Sequence, residues 1–199
     1  MNLLITNSHE FQAYLIAYSL RAEADRIIIT EGGESVVTTG FRGMLPYSRF
    51  VDARHTVPHF ANDWLAGRLD DKNTEAEEAY IQRIEHICAL EQVDTIFPSL
   101  DPEVYLFAKN KERLWDKGIL SVVPEPEVIR VPMDKALTIQ AAQRVGFPCP
   151  KTYFPVSDND IDRITAESTP PWIVKPRFSA HGAHIVYVGE PAELHEPHQ

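Results

Sequence analysis

The chain predicts an α/β fold built on a parallel sheet, and three observations carry that prediction. Short apolar runs bounded by polar turns alternate with longer segments of helical periodicity. The first two runs, 3–6 and 26–30, flank one such segment and so form a β–α–β unit. Strands and helices then keep alternating to about residue 123, the pattern of a sheet covered by helices on both faces.

The elements follow in order. Segment 9–24 carries Phe11, Leu15, Tyr18 and Ala22 at helical spacing, and these form its expected apolar face. The turn after the first run lacks glycines, which argues against a dinucleotide fingerprint and against a nicotinamide oxidoreductase. Glu31-Gly32-Gly33 comes too late for that role and reads as a turn. Residues 35–45 fit either a short strand or an irregular excursion, 49–57 reads as a strand, and 62–71 as a polar connection with one helical turn. Segment 74–91 is a helix with Ala76, Tyr80, Ile84, Ile87 and Cys88 on one face, opened by a Thr74/Glu77 capping box. A strand at 94–97 leads into Pro98-Ser99-Leu100-Asp101-Pro102-Glu103. Asp101 suits an N-cap there and Pro102 a first helical residue, with one helix running on to Gly118. Residues 119–123 form the next strand.

Pro124, Pro126 and Pro132 interrupt regular structure, so the expected division is a first domain at 1–124, a proline-rich linker at 125–132 and a second domain at 133–199. In the second domain, 134–145 reads as a helix closed by Gly146, 151–154 as a strand, 158–166 as a short helix, and 190–195 as the start of another. Between them lies WIVKPRFSAHGAHIVYV (172–188), two β-prone runs joined by a loop of small and polar residues. Lys175 and Arg177 stand at its base, and its small residues can turn backbone N–H groups toward an anion, as a phosphate site requires. An ordinary hairpin with a basic turn has the same pattern.

Composition excludes several classes. Apolar residues make up 44% and charged residues 24% of the 199, which is ordinary for a globular protein. The net charge of −10, with no basic tract, argues against binding nucleic acid through phosphate contacts. No run is long enough to span a bilayer, and the N-terminus lacks the charged region of a signal peptide. Cys88 and Cys149 have neither metal nor disulfide spacing, which fits a reducing cytoplasm and a cytosolic protein. His181 and His184 have no nearby Cys or carboxylate and read as loop histidines, so no metal ligands are assigned.

The order of Pro98 to Glu103, Asp134-Lys135, Gly146-Phe147-Pro148-Cys149-Pro150 and Val174-Lys175-Pro176-Arg177 resembles the front half of ATP-grasp proteins. The nearest flavour is the carbamoyl-phosphate-synthetase-like branch and related carboxylate–amine ligases, and the resemblance spans the whole chain. It implies a small Rossmann-like pre-ATP-grasp domain followed by an incomplete first ATP-grasp subdomain of α+β type. It implies ATP and Mg²⁺ as cofactors, with the magnesium ligands in a C-terminal part beyond this sequence. A small carboxylate is the implied substrate, and the resemblance allows a homodimer.

By position, Lys135 and Lys175 are the implied ATP contacts, with Arg177, Ser179 and the backbone near Gly182 beside them. Their ammonium groups would offset phosphate charge as the γ-phosphoryl moves. Asp101 and Glu103 are the implied substrate contacts, although capping and the helix dipole account for them equally. The sequence departs from the family in its loop, Phe178 to His184, which holds one glycine where the family has several. Two expectations follow: the N-terminal portion of an ATP-dependent ligase, or a non-catalytic nucleotide-binding module derived from one.

Overall fold

The computed structural model describes residues 1–32, 45–60, 69, 72–179 and 184–195, so the readings made for 35–44, for 62–68 and 70–71, and for Gly182 lie outside the described residues. The chain divides into two compact units, Met1–Arg130 and Val131–Gln199.

The first unit is a parallel sheet of five strands: β1 (Asn2–Ile5), β2 (Arg26–Gly32), β3 (Ala53–Val57), β4 (Thr95–Phe97) and β5 (Leu120–Ser121), in the order β3-β2-β1-β4-β5. Helices α1 (Phe11–Leu20), α2 (Glu75–Glu91), α3 (Asp101–Lys109) and α4 (Lys111–Trp115) connect them. Leu3, Leu4, Ile5, Ile27, Ile28 and Ile29 are all fully buried. Because strand side chains alternate, Leu4 and Ile28 enter one core cluster while Leu3, Ile5, Ile27 and Ile29 enter the other. Each such side chain contributes roughly 1.5–3 kcal/mol on burial, which makes the central strands the anchor of the unit.

Four sequence readings are corrected in this unit. The expected apolar face of α1 points outward: Phe11, Leu15 and Tyr18 are exposed, while Ala13 and Ala17 are fully buried against the sheet. Alanine lets the helix approach closely, and the larger residues lie on roughly the opposite side. Glu31 and Gly32 form no turn, for they pair with Thr56 and Val57 as the end of β2. Strand β3 starts at Ala53 because the Asp52 carboxylate takes the Ile27 N–H at 2.8 Å and also binds Arg21 at 2.8 Å. The helix expected to run to Gly118 breaks at the buried Asn110. That side chain donates to the Leu106 carbonyl at 2.8 Å and exchanges amide hydrogen bonds with Asn73. The Thr74/Glu77 capping box is present, and every residue on the expected face of α2 except Ala76 is buried.

The stretch expected as a proline-rich linker holds the short helix α5 (Pro126–Met133). Pro126 opens this helix, where its missing N–H is no loss, and Pro132 stands one residue before its end. The prolines therefore bound a short helix.

The second unit contains α6 (Lys135–Arg144), α7 (Asp158–Glu167), the strands β6 (Trp172–Val174) and β7 (Val186–Val188), and a 3₁₀ turn at Pro191–His195. Gly146, at φ +74°, closes α6, with the Phe147 N–H returning to the Ala142 carbonyl at 2.9 Å. Strands β6 and β7 pair antiparallel, Trp172 opposite Val188 and Val174 opposite Val186. Residues 151–154 form no strand. Pro148, Pro150 and Pro155 flank them and withdraw the N–H donors that a ladder needs.

Candidate functional site

The candidate anion site lies within the second unit, where the start of α6 meets the base of the β6–β7 hairpin. Asp134 has extended backbone angles, and its Oδ1 accepts from the Ala136 N–H at 2.9 Å, so it caps α6. The same carboxylate accepts two parallel bonds from Arg177, Nε to Oδ1 at 2.7 Å and Nη2 to Oδ2 at 2.6 Å. Only 4% of the Asp134 side chain is exposed, against 59% for Arg177. The guanidinium is the main cause that holds the Asp134 carboxyl below its usual range, and the carboxylate in turn raises Arg177. The backbone closes the same junction, with the Lys135 N–H donating to the Arg177 carbonyl at 3.3 Å.

Lys135 is the first residue of α6, and its ammonium donates to the Ser179 hydroxyl at 2.9 Å and the Ser179 carbonyl at 3.1 Å. Two residues singled out from the sequence, 44 positions apart, therefore meet. Lys175 follows β6 directly and shares a strand face with Ile173, as alternation predicts. That face is open: Ile173 is 53% exposed, Lys175 is exposed, and Lys175 makes no bond to another described residue. The Lys175 side chain is therefore solvated and not packed against an apolar surface. Arg177, one of the implied phosphate contacts, has its charge committed to Asp134. Asp134 is legible in the sequence as the start of a helix and as the residue before Lys135, and no local signal marks a partner so distant in sequence.

The first unit carries a separate crevice at the carboxyl ends of its strands. Strand order reverses between β1 and β4, the place where open α/β sheets bind ligands. Ser99 ties these two ends together by donating to the carbonyls of Thr6 at 2.6 Å and Asn7 at 3.0 Å. A cavity of about 60 Å³ opens there, lined by Asn7, Gly32, Tyr80, Leu100 and Glu103 among others. Glu103 is buried, and both carboxylate oxygens are engaged, one by Thr6 Oγ1 and one by Tyr80 OH, each at 2.6 Å. Burial pushes its carboxyl up to about 7, while the donors from Thr6, Tyr80 and the Ser99 and Leu100 amides pull the other way. Asp101 is exposed and is the first residue of α3; Leu100 takes the N-cap place expected of Asp101. Thr6 and Tyr80 had no sequence signal as polar partners, since both stand within apolar patterns. Among the described residues, no group of three or more His, Cys, Asp or Glu side chains is gathered to hold a metal ion, and no helix is long and apolar enough to cross a membrane.

No protein-family model and no curated protein sequence matches the chain. Solved structures match it in fold. One is the biotin carboxylase domain dimer of the Hydrogenobacter thermophilus 2-oxoglutarate carboxylase, in complex with MgADP, ADP and bicarbonate. It is 15% identical with a TM-score of 0.65, over 96% of this chain and 38% of that one. Another is the biotin carboxylase domain of a single-chain bacterial carboxylase, 14% identical with a TM-score of 0.57, over 98% of this chain and 38% of that one. The chain spans well under half the length of either neighbour. The likeness is one of fold.

Proposed function

We propose that the chain is the nucleotide-binding front portion of an ATP-dependent ligase, of the carboxylate–amine kind, that activates a small carboxylate as an acyl phosphate. In that reaction a carboxylate oxygen takes the γ-phosphoryl group and ADP leaves; an amine then attacks the carbonyl and phosphate departs. The observation that carries the reading is the meeting of Lys135 and Ser179 at the hairpin base, an ammonium and a hydroxyl side by side. Such a pair suits phosphate oxygens, and the exposed Lys175 adds a second cation with no protein partner among the described residues. The backbone near Gly182 belongs to the same proposal on sequence grounds. Of the two carboxylates assigned to substrate, Asp101 is the accessible one, since both oxygens of Glu103 are already bonded. Magnesium would reach this site on the phosphates of the nucleotide.

Titration calorimetry with Mg·ATP tests the reading. Lys135→Met and Lys175→Met keep the apolar stems and remove the charges, so each weakens binding by roughly ten- to a hundred-fold. Unchanged affinity in both variants overturns the proposal. The single glycine between Phe178 and His184 favours a second reading, a nucleotide-binding module without turnover. Sustained ADP release that Lys175→Met abolishes would exclude that second reading.

A further inference from the structure

We infer that Arg177 is a positioning residue that acts through Asp134, not a ligand to the nucleotide. This inference rests on the nucleotide reading above and assigns Arg177 a place within it.

The guanidinium and carboxylate match in a two-pronged pair, 2.7 and 2.6 Å, the geometry in which arginine is most selective. The carboxylate belongs to the residue that also caps α6, so one side chain holds the first turn of the helix and the base of the hairpin together. Lys135 and Ser179 flank this pair in sequence, one residue after Asp134 and two after Arg177. The Lys135 N–H to Arg177 carbonyl bond at 3.3 Å is a further tie between the two segments. With both ends pinned, the ammonium of Lys135 reaches the hydroxyl and carbonyl of Ser179. Ser179 thus stands where a phosphate oxygen would compete for the same ammonium. Removing the Arg177–Asp134 pair would leave both phosphate-binding groups chemically intact but no longer placed.

A direct ligand and a positioning residue predict different patterns across a set of variants. The set is Arg177→Met, Arg177→Lys, Asp134→Asn and the double variant Arg177→Met/Asp134→Asn. Asparagine keeps an oxygen for the Ala136 N–H, so the cap survives, and circular dichroism checks that each variant is folded. Affinity for Mg·ATP and for adenosine is measured on the full 199-residue chain.

The expected result is a loss of roughly five- to thirty-fold for Mg·ATP in Arg177→Met and in Asp134→Asn alike. The double variant should be no weaker than either single one, because both changes break the same pair. Arg177→Lys, which keeps the charge and loses the fork, should recover part of the affinity. Adenosine, which lacks phosphates, should bind all variants equally, whereas general loosening of the unit would weaken it too. If Arg177→Met weakens Mg·ATP binding while Asp134→Asn does not, or if the two losses multiply in the double variant, the positioning role is overturned and the nucleotide reading stands. If the unmodified chain binds no Mg·ATP, the nucleotide reading is overturned and the positioning role falls with it.

Discussion

Glu103 shows how one buried carboxylate links the first unit to pH. Desolvation raises its folded-state pKa to about 7 from the ordinary value of 4.5, so between those values the folded chain keeps a proton that the unfolded chain has lost. Unfolding therefore releases a proton in that window, and stability falls as pH rises through it, then levels off above about 7. The interval corresponds to roughly 3 kcal/mol. Urea denaturation from pH 4 to 8 on the native chain and on Glu103→Gln isolates the effect. The difference between the two stability curves should slope between about 4.5 and 7 and be flat above; a difference flat throughout would mean the carboxylate is fully compensated by its donors. Legibility at this scale was uneven. Lys135 and Ser179 were found from motif order, and the structure joins them. The partners Asp134 for Arg177, and Thr6 and Tyr80 for Glu103, were not, because each pairing spans many residues and leaves no periodic trace.

At the scale of elements, local chemistry and tertiary packing can be separated by two substitutions. The Thr74 cap is local: its hydroxyl accepts from the Glu77 N–H at 3.2 Å, and the Glu77 carboxylate takes the Thr74 N–H at 2.7 Å. Thr74→Ala should cost about 1 kcal/mol by urea denaturation. Ala17 on α1 tests packing. It is fully buried against the sheet, so Ala17→Leu should destabilise by roughly 1–3 kcal/mol through overpacking, whereas Leu15→Ser on the exposed side should stay within about 0.5 kcal/mol. The opposite ranking would restore the face that periodicity suggested. The contrast explains which elements could be read in advance. The capping box, the Gly146 stop and the hairpin depend on neighbouring residues, and the sequence displays them. The orientation of α1 and the break at Asn110 depend on the sheet and on Asn73, which local patterns do not report.

On the scale of the whole molecule the two units differ in how much apolar surface they bury. The first holds fully buried strands together with Tyr80 and Phe107. In the second, the buried hydrophobic residues among those described are Met133, Ala136, Ile164 and Val188, and its sheet has two strands. Fewer buried contacts mean cheaper local opening, so the second unit should exchange its amide hydrogens well before β1, β2 and α2 do. Nucleotide binding sharpens this expectation. A ligand that binds the folded second unit stabilises it in proportion to its saturation, by about 2.7 kcal/mol at a hundred times its dissociation constant. Mg·ATP at saturation should therefore slow exchange at Lys135 and Ala136, whose N–H groups bond Arg177 and Asp134, and along 175–179. Exchange in residues 2–5 and 26–32 should not change. Hydrogen exchange read by mass spectrometry, with and without Mg·ATP and repeated on Lys135→Met, makes the comparison in one experiment. Protection that appears in the first unit instead, around the Glu103 crevice, would move the nucleotide site to the carboxyl ends of the parallel strands and take Lys135 out of it.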